Sequence, residues 1–208
     1  MSKYSHTENS LVIQAPKQPA QLFLLCHGAG ETVQHMRGMG QALAHAFPAA
    51  AVVAVVLAEL NFHVAYLKSA LTAWQANTQV APAATCLVGF AEGASLALCA
   101  VSGGDLLAGR VIAIAGYWHT PLESEHDIHP DTTLHLIHGK LDTVLPYRQA
   151  LLAAEHAIKL KADLTCDVLP KVGHALSDEI IALSLEKLRA YVPKRMWDEA
   201  LRAAAGQS

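Results

Sequence analysis

Short, unbroken apolar runs recur along the chain with amphipathic stretches between them, and this alternation narrows the choice of fold more than any other feature. Runs such as AAVVAVV, TCLVGF and RVIAIAG have no polar face, so a strand built from them must be covered on both sides. Strands of that kind separated by helical segments predict an α/β architecture, with a mostly parallel sheet and helices on both faces. Strands are expected near 10–14, 21–27, 51–57, 84–90, 110–116, 133–138 and 163–169. Helices are expected over 31–46, 62–77, 92–102, 145–161 and 177–191, with a last one starting near Pro193 and including MWDEALRAAA. Val64, Leu67, Leu71 and Trp74 share one helical face, as a helix lying on a sheet requires. Met36, Met39 and Leu43 repeat at the same spacing and read as core contacts.

No repeat, low-complexity stretch or linker divides the 208 residues, so a single domain over 1–208 is expected. Hydrophobic residues at 52% and charged residues at 16% exclude a disordered chain. The 15 Lys and Arg against 18 Asp and Glu provide no concentrated basic surface, so no nucleic-acid partner is expected. The first twenty residues contain no apolar run of signal-peptide length. The most membrane-like stretch, Ala49 to Leu60, is too short to cross a bilayer and reads as a buried strand. No membrane span and a cytoplasmic location follow as expectations. Cys26, Cys86, Cys99 and Cys166 are widely spaced beside apolar stretches and form no Cys-x-x-Cys pair; they read as buried thiols in a reducing compartment.

The chain has 12 His. The segment from His119 to His129 combines three imidazoles with nearby carboxylates, and His135 and His138 follow. It is a candidate for divalent metal. The favoured reading is a polar surface loop, because the run matches no ligand motif and contains Pro121. Alternation in TLHLIHG also sends His135 and Leu134 to opposite faces. No metal and no cofactor are expected.

In an open parallel sheet, ligands bind beyond the carboxyl ends of the strands, and four expected strand ends carry informative residues. In LVGFAEGASLAL, Gly89 and Gly93 flank Ala91 at the spacing of the Gly-x-Ser-x-Gly nucleophile elbow, whose sharp strand-to-helix turn demands small neighbours. LFLLCHGAGE places His27-Gly28-Ala29-Gly30 after the second strand. LIHGKLDTVLPY places Asp142 after the sixth, and VLPKVGHALSDE places His174 after the seventh. Each alone has a plain reading, as a tight turn, a loop cap or a structural histidine. Together, the chain order 91, 142, 174 matches the Ser, acid, His order of α/β-hydrolases. Tyr117, Trp118 and His119 follow the fifth strand on the same edge and are candidate substrate-binding residues, or else an aromatic rim filling space over the sheet.

These motifs, together with LVIQAPKQPAQLFLLCHGAG, LAGRVIAIAGY, TTLHLIHGKLDTV and YVPKRMWDEAL, resemble the carboxylesterase/phospholipase family of α/β-hydrolases, which includes acyl-protein thioesterase-like enzymes. The resemblance extends over nearly the whole chain and implies an α/β-hydrolase fold acting on small acyl esters. It further implies His174 as general base, Asp142 as its orienting acid, and the backbone N–H groups of Ala29 and Glu92 as an oxyanion hole. Ala91 takes the nucleophile's position.

Three departures from the family pattern stand out. Ala91 has no hydroxyl and cannot form an acyl-enzyme, which by analogy with nucleophile deletions costs roughly six orders of magnitude in turnover, or ~8 kcal/mol of barrier. Glu92 stands where the family commonly has Gln, and its charge opposes a developing oxyanion. The connection from VVLAEL to NFHVAYLKSALTAW is shorter than the family's, where it forms part of the pocket wall. The three together favour natural loss or repurposing over an engineered Ser-to-Ala exchange, which stays open. Two other functions also stay open: a non-catalytic binding protein using the inherited pocket, and a lyase or water-activating hydrolase using His174 and Asp142 directly. The terminal pair of helices is a candidate either to cover a sheet edge or to present a homodimer surface.

Overall fold

The computed structural model describes residues 10–57, 64–193 and 196. The expected final helix lies outside the described residues except for its first position and residue 196, so of the candidate dimer surface only the helix before it is described. Residues 58–63, within the connection expected to be short, also lie outside them.

Seven strands form one sheet: β1 (Ser10–Gln14), β2 (Gln21–Cys26), β3 (Ala50–Val55), β4 (Thr85–Phe90), β5 (Arg110–Ile114), β6 (Thr133–Gly139) and β7 (Asp163–Leu169). Their order is β1-β3-β2-β4-β5-β6-β7, with β1 antiparallel to β3 and every other pairing parallel. The helices are α1 (Arg37–Ala46), α2 (Val64–Thr78), α3 (Glu92–Val101), α4 (Tyr147–Lys159) and α5 (Asp178–Ala190). The fold is of the α/β-hydrolase type.

Alternate residues of each central strand feed two cores. Leu22, Leu24 and Cys26 of β2 pack in the layer that holds Leu67, Leu71 and Trp74 of α2, the apolar face of α3, and Ala150, Ala154 and Ala157 of α4. Phe23 and Leu25 face the other way, toward Met36, Met39, Leu43 and Ile180 on the side of α1 and α5. Every residue of β3, β4 and β6 is buried, which explains the apolar sequences of β3 and β4, while β6 buries Thr133, His135 and His138 among its apolar residues. Fully burying one Val or Leu side chain contributes ~1.5–3 kcal/mol, so these two layers supply the main drive to fold.

Most expected element boundaries shift by a residue or two, and three of the shifts have a clear local reason. β3 stops at Val55, and the N–H of Leu57 turns aside to donate to His27 Nε2 at 3.0 Å. β5 stops at Ile114 because Ala115 takes a left-handed φ of 53°. The expected helix over 31–46 begins instead with a 3-10 turn, Val33–Met36, after a reversal at Gly30, where φ is +72°. Of the four cysteines, Cys26 and Cys86 are buried and Cys99 and Cys166 only half-buried, and all four are free thiols. Burial raises the pKa of all four, to about 12 for Cys26 and Cys86 and about 11 for Cys166. No helix among the described residues is long and apolar enough to cross a membrane.

Candidate active site

Because β2, β4, β5, β6 and β7 run in parallel with matched ends, the residues following each strand emerge along one edge of the sheet. Ala91 sits in the turn from β4 into α3 with φ 53° and ψ −124°, a conformation that costs an ordinary residue ~1–3 kcal/mol. Its N–H donates to Ile114 O at 2.9 Å, and its carbonyl accepts from the N–H groups of Ala94 and Ser95. The turn is tight. A Cβ added at Gly89 would lie 2.4 Å from Ala94 Cα, and one at Gly93 2.4 Å from His27 O. A Cβ at Gly28 would meet Ala91 Cβ at 3.2 Å, so the loop after β2 passes directly over Ala91.

His174 and Asp142 come together from two loops. Lys140 N–H donates to Leu169 O and Leu141 N–H to Val172 O, which extends the β6–β7 pairing past the sheet. A Cβ at Gly139 would lie 2.4 Å from Val172 O, so only glycine permits this approach. His174 Nδ1 then lies 2.7 Å from Asp142 Oδ2. The other carboxylate oxygen, Oδ1, accepts from the N–H groups of Val144 at 2.9 Å and Leu145 at 2.8 Å. Asp142 is buried and held from both sides, and the imidazole rests against the ring of Phe90, with centroids 4.9 Å apart. His138 reaches the same carboxylate more loosely, at 3.8 Å, and burial lowers its pKa.

The loop after β2 carries further groups. His27 Nε2 accepts from Leu57 N–H, which leaves Nδ1 to donate to Gly28 O at 2.7 Å and fixes the neutral tautomer that ties this loop to the end of β3. Two carboxylates converge on the loop's N–H groups. Glu31 Oε2 accepts from Gly28 N–H at 3.1 Å, and Glu92 Oε2 accepts from Ala29 N–H at 3.4 Å. Glu31 also faces His35 Nδ1 at 3.3 Å, and the His35 ring stacks on Phe90.

Beyond Ala91, a Cβ at Gly116 would lie 2.6 Å from Ala91 O, and Tyr117 N–H donates to Ser95 Oγ, so the loop after β5 is fastened against α3. Tyr117, Trp118 and His119 line one side of a cleft of about 350 Å³, with Gln149, Leu152, Ala153 and His156 of α4 on the other. Trp118 is buried in the core layer and donates to Ser102 Oγ at 2.9 Å, so it fills space over the sheet as well as lining the cleft. Farther along the segment from His119 to His129, Asp127 Oδ2 accepts from the N–H groups of Glu123 and Ser124 and organises the loop. Among the described residues, no three His, Cys, Asp or Glu side chains gather as metal ligands.

The model of the phospholipase/carboxylesterase family matches residues 58–192. Over 91% of its length the chain is also 34% identical to esterase YpfH of Escherichia coli K12, covering 91% of that protein. The chain belongs to the phospholipase/carboxylesterase family. Solved structures repeat the family's fold. Esterase PE8 superposes with a TM-score of 0.76 at 22% identity, over 88% of this chain and 99% of that one. The Bacillus cereus carboxylesterase superposes with a TM-score of 0.69 at 14% identity, over 85% and 91%.

Against that family background, sequence reasoning singled out Ala91, Glu92, Ala29, Asp142 and His174, and the fold brings all five to one sheet edge. It did not single out Glu31, just before the 3-10 turn, or His35 within it, which meet beside the same loop. The i, i+4 spacing of these two residues was the available signal.

Proposed function

We propose that this chain is a carboxylesterase-type site for small acyl esters in which acyl-enzyme chemistry is switched off at one atom, the hydroxyl that Ala91 lacks. The observation that carries this reading is the backbone of Ala91. Alanine gains nothing from φ 53°, yet the turn holds that residue in the strained conformation from which an elbow presents its side chain. His174, oriented by Asp142 at 2.7 Å, is the base of the proposed machinery. The N–H groups of Ala29 and Glu92 are its oxyanion donors, and the cleft beside Tyr117, Trp118 and His119 is its place for the ester's organic group.

In a serine-bearing form of this site, the hydroxyl attacks the ester carbonyl while His174 takes its proton. The oxyanion falls on the two N–H groups, and the protonated His174 then hands the proton to the leaving alcohol. Without the oxygen there is no covalent intermediate. Four free thiols support a reducing, cytoplasmic setting.

A second reading, a non-catalytic binding protein, draws support from the 350 Å³ cleft, which exists independently of the missing hydroxyl. One pair of proteins separates the two. The parent and Ala91→Ser are assayed on p-nitrophenyl acetate and challenged with a fluorophosphonate probe. The esterase reading expects the parent to stay at the buffer rate and Ala91→Ser to hydrolyse the ester and take the label. An Ala91→Ser protein that folds but does neither favours the binding reading. Turnover by the parent that disappears in His174→Ala would instead establish direct base catalysis.

A further inference from the structure

Restoring the hydroxyl brings back one of two missing elements, because one oxyanion donor is already occupied. Glu92 opens α3, where first-turn N–H groups have no partner within the helix and a carboxylate is ordinarily content to stay near its own helix end. Here its Oε2 reaches across to accept from Ala29 N–H, 63 residues away in sequence, at 3.4 Å. The backbone of Glu92 therefore offers one proposed donor while its side chain takes up the other. The preceding donor, Gly28 N–H, is itself held by Glu31 Oε2 at 3.1 Å.

We infer that the Glu92 side chain is a second, independent block on acyl transfer: it occupies Ala29 N–H and sets a negative charge where negative charge would develop. This rests on the esterase reading of the site. The block acts on the transition state. A neutral ester carbonyl can bind near a carboxylate, whereas a tetrahedral oxyanion needs both N–H groups and is repelled by the charge that holds one of them. Such an effect lowers kcat and leaves KM nearly unchanged. Losing one oxyanion donor typically costs 10²–10³-fold in kcat, which sets the scale of the gain when the donor is freed.

The test compares Ala91→Ser with Ala91→Ser/Glu92→Gln and Ala91→Ser/Glu92→Ala on p-nitrophenyl acetate. The Gln variant removes the charge and the Ala variant removes the acceptor; both keep the backbone N–H at position 92. The expected result is a rise in kcat of about 10²-fold in at least the Ala variant, with KM within a few-fold of the single variant. Equal kcat in all three proteins, with all three taking the fluorophosphonate label, would overturn the inference while sparing the esterase reading. A readout independent of catalysis covers the case in which none is active. In ¹H–¹⁵N spectra of the otherwise unmodified chain, the Ala29 amide proton should shift as Glu92 titrates, and that dependence should vanish in Glu92→Gln. An Ala29 amide indifferent to Glu92 overturns the inference. Silent enzymes with a responsive amide would confirm the contact and defeat the esterase reading, and with it Glu92's role as a block on acyl transfer.

Discussion

Asp142 has no spare hydrogen-bonding capacity for a neutral replacement. Its Oδ1 accepts two backbone N–H groups and its Oδ2 faces His174 Nδ1, so every group around it is a donor when His174 carries its proton on Nδ1. Asparagine brings an NH₂ that must point either at two N–H groups or at the imidazole. The second choice is the less costly, and it forces His174 into the tautomer whose Nε2 is protonated and cannot act as a base toward position 91. In the Ala91→Ser background, Asp142→Asn should therefore lower kcat/KM by roughly 10³–10⁴-fold, with the fold kept. Steady-state kinetics beside a far-ultraviolet spectrum checks this; a loss under tenfold would remove Asp142 from the proposed machinery. Asp142 and His174 were legible because chain order and strand-end position are properties of sequence. The Glu92–Ala29 contact was not, since it depends on how far one side chain reaches between two loops that only the folded sheet brings together.

The elements meet most closely where α3 begins. Gly93 lies against the carbonyls of Cys26 and His27, and Gly89 against the backbone of Ala94, so the obstacle to a side chain at either position is main chain, which cannot swing aside. Gly38, exposed in α1, has nothing within 4 Å of its would-be Cβ. The same substitution should thus have opposite signs at the two sites. Gly93→Ala should destabilise by about 3 kcal/mol or more, beyond ordinary overpacking. Gly38→Ala should stabilise by about 0.5–1 kcal/mol through helix propensity. Thermal melts of the two variants beside the parent test this, and a Gly93→Ala protein melting with the parent would show that α3 can retreat from β2. Unbroken apolar runs located the central strands and interrupted ones the rest, and glycine spacing marked this crossing. Strand ends were harder to place. Val56 and Leu57 read as strand by composition, but a hydrogen bond to His27 ends the pairing there, and Ala115 looks like any apolar strand residue until its φ is known.

Across the whole molecule, at the sheet end opposite the candidate site, the starts of β5, β6 and β7 carry a buried polar cluster that makes stability depend on pH. His135 of β6 is fully buried, with Nε2 accepting from Arg110 Nη1 at 3.2 Å and Nδ1 therefore free to donate to Thr165 Oγ1 at 2.8 Å. Arg110 also donates to the carbonyls of Lys187 and Tyr191, and Tyr191 donates to Asp163, so the cluster fastens the end of α5 to β5, β6 and β7. Burial, reinforced by the positive charges of Arg110 and Lys187 and only partly offset by Asp163, lowers the His135 pKa to about 3. In the unfolded chain the same imidazole titrates near its ordinary 6.5. Between these values the unfolded state holds a proton that the folded state refuses, so stability is complete above about pH 6.5 and falls as the pH drops toward 3. The loss from this one group approaches ~1.4 kcal/mol per pH unit, and burial of His138 acts in the same direction. Urea unfolding of the parent and of His135→Gln, at pH 7.5, 6, 5 and 4.5, isolates the effect. Glutamine can still accept from Arg110 but does not titrate, so its stability should fall less steeply with acid than the parent's. Parallel curves for the two proteins would mean that His135 takes up its proton without unfolding the chain, and that the Arg110 cluster yields instead.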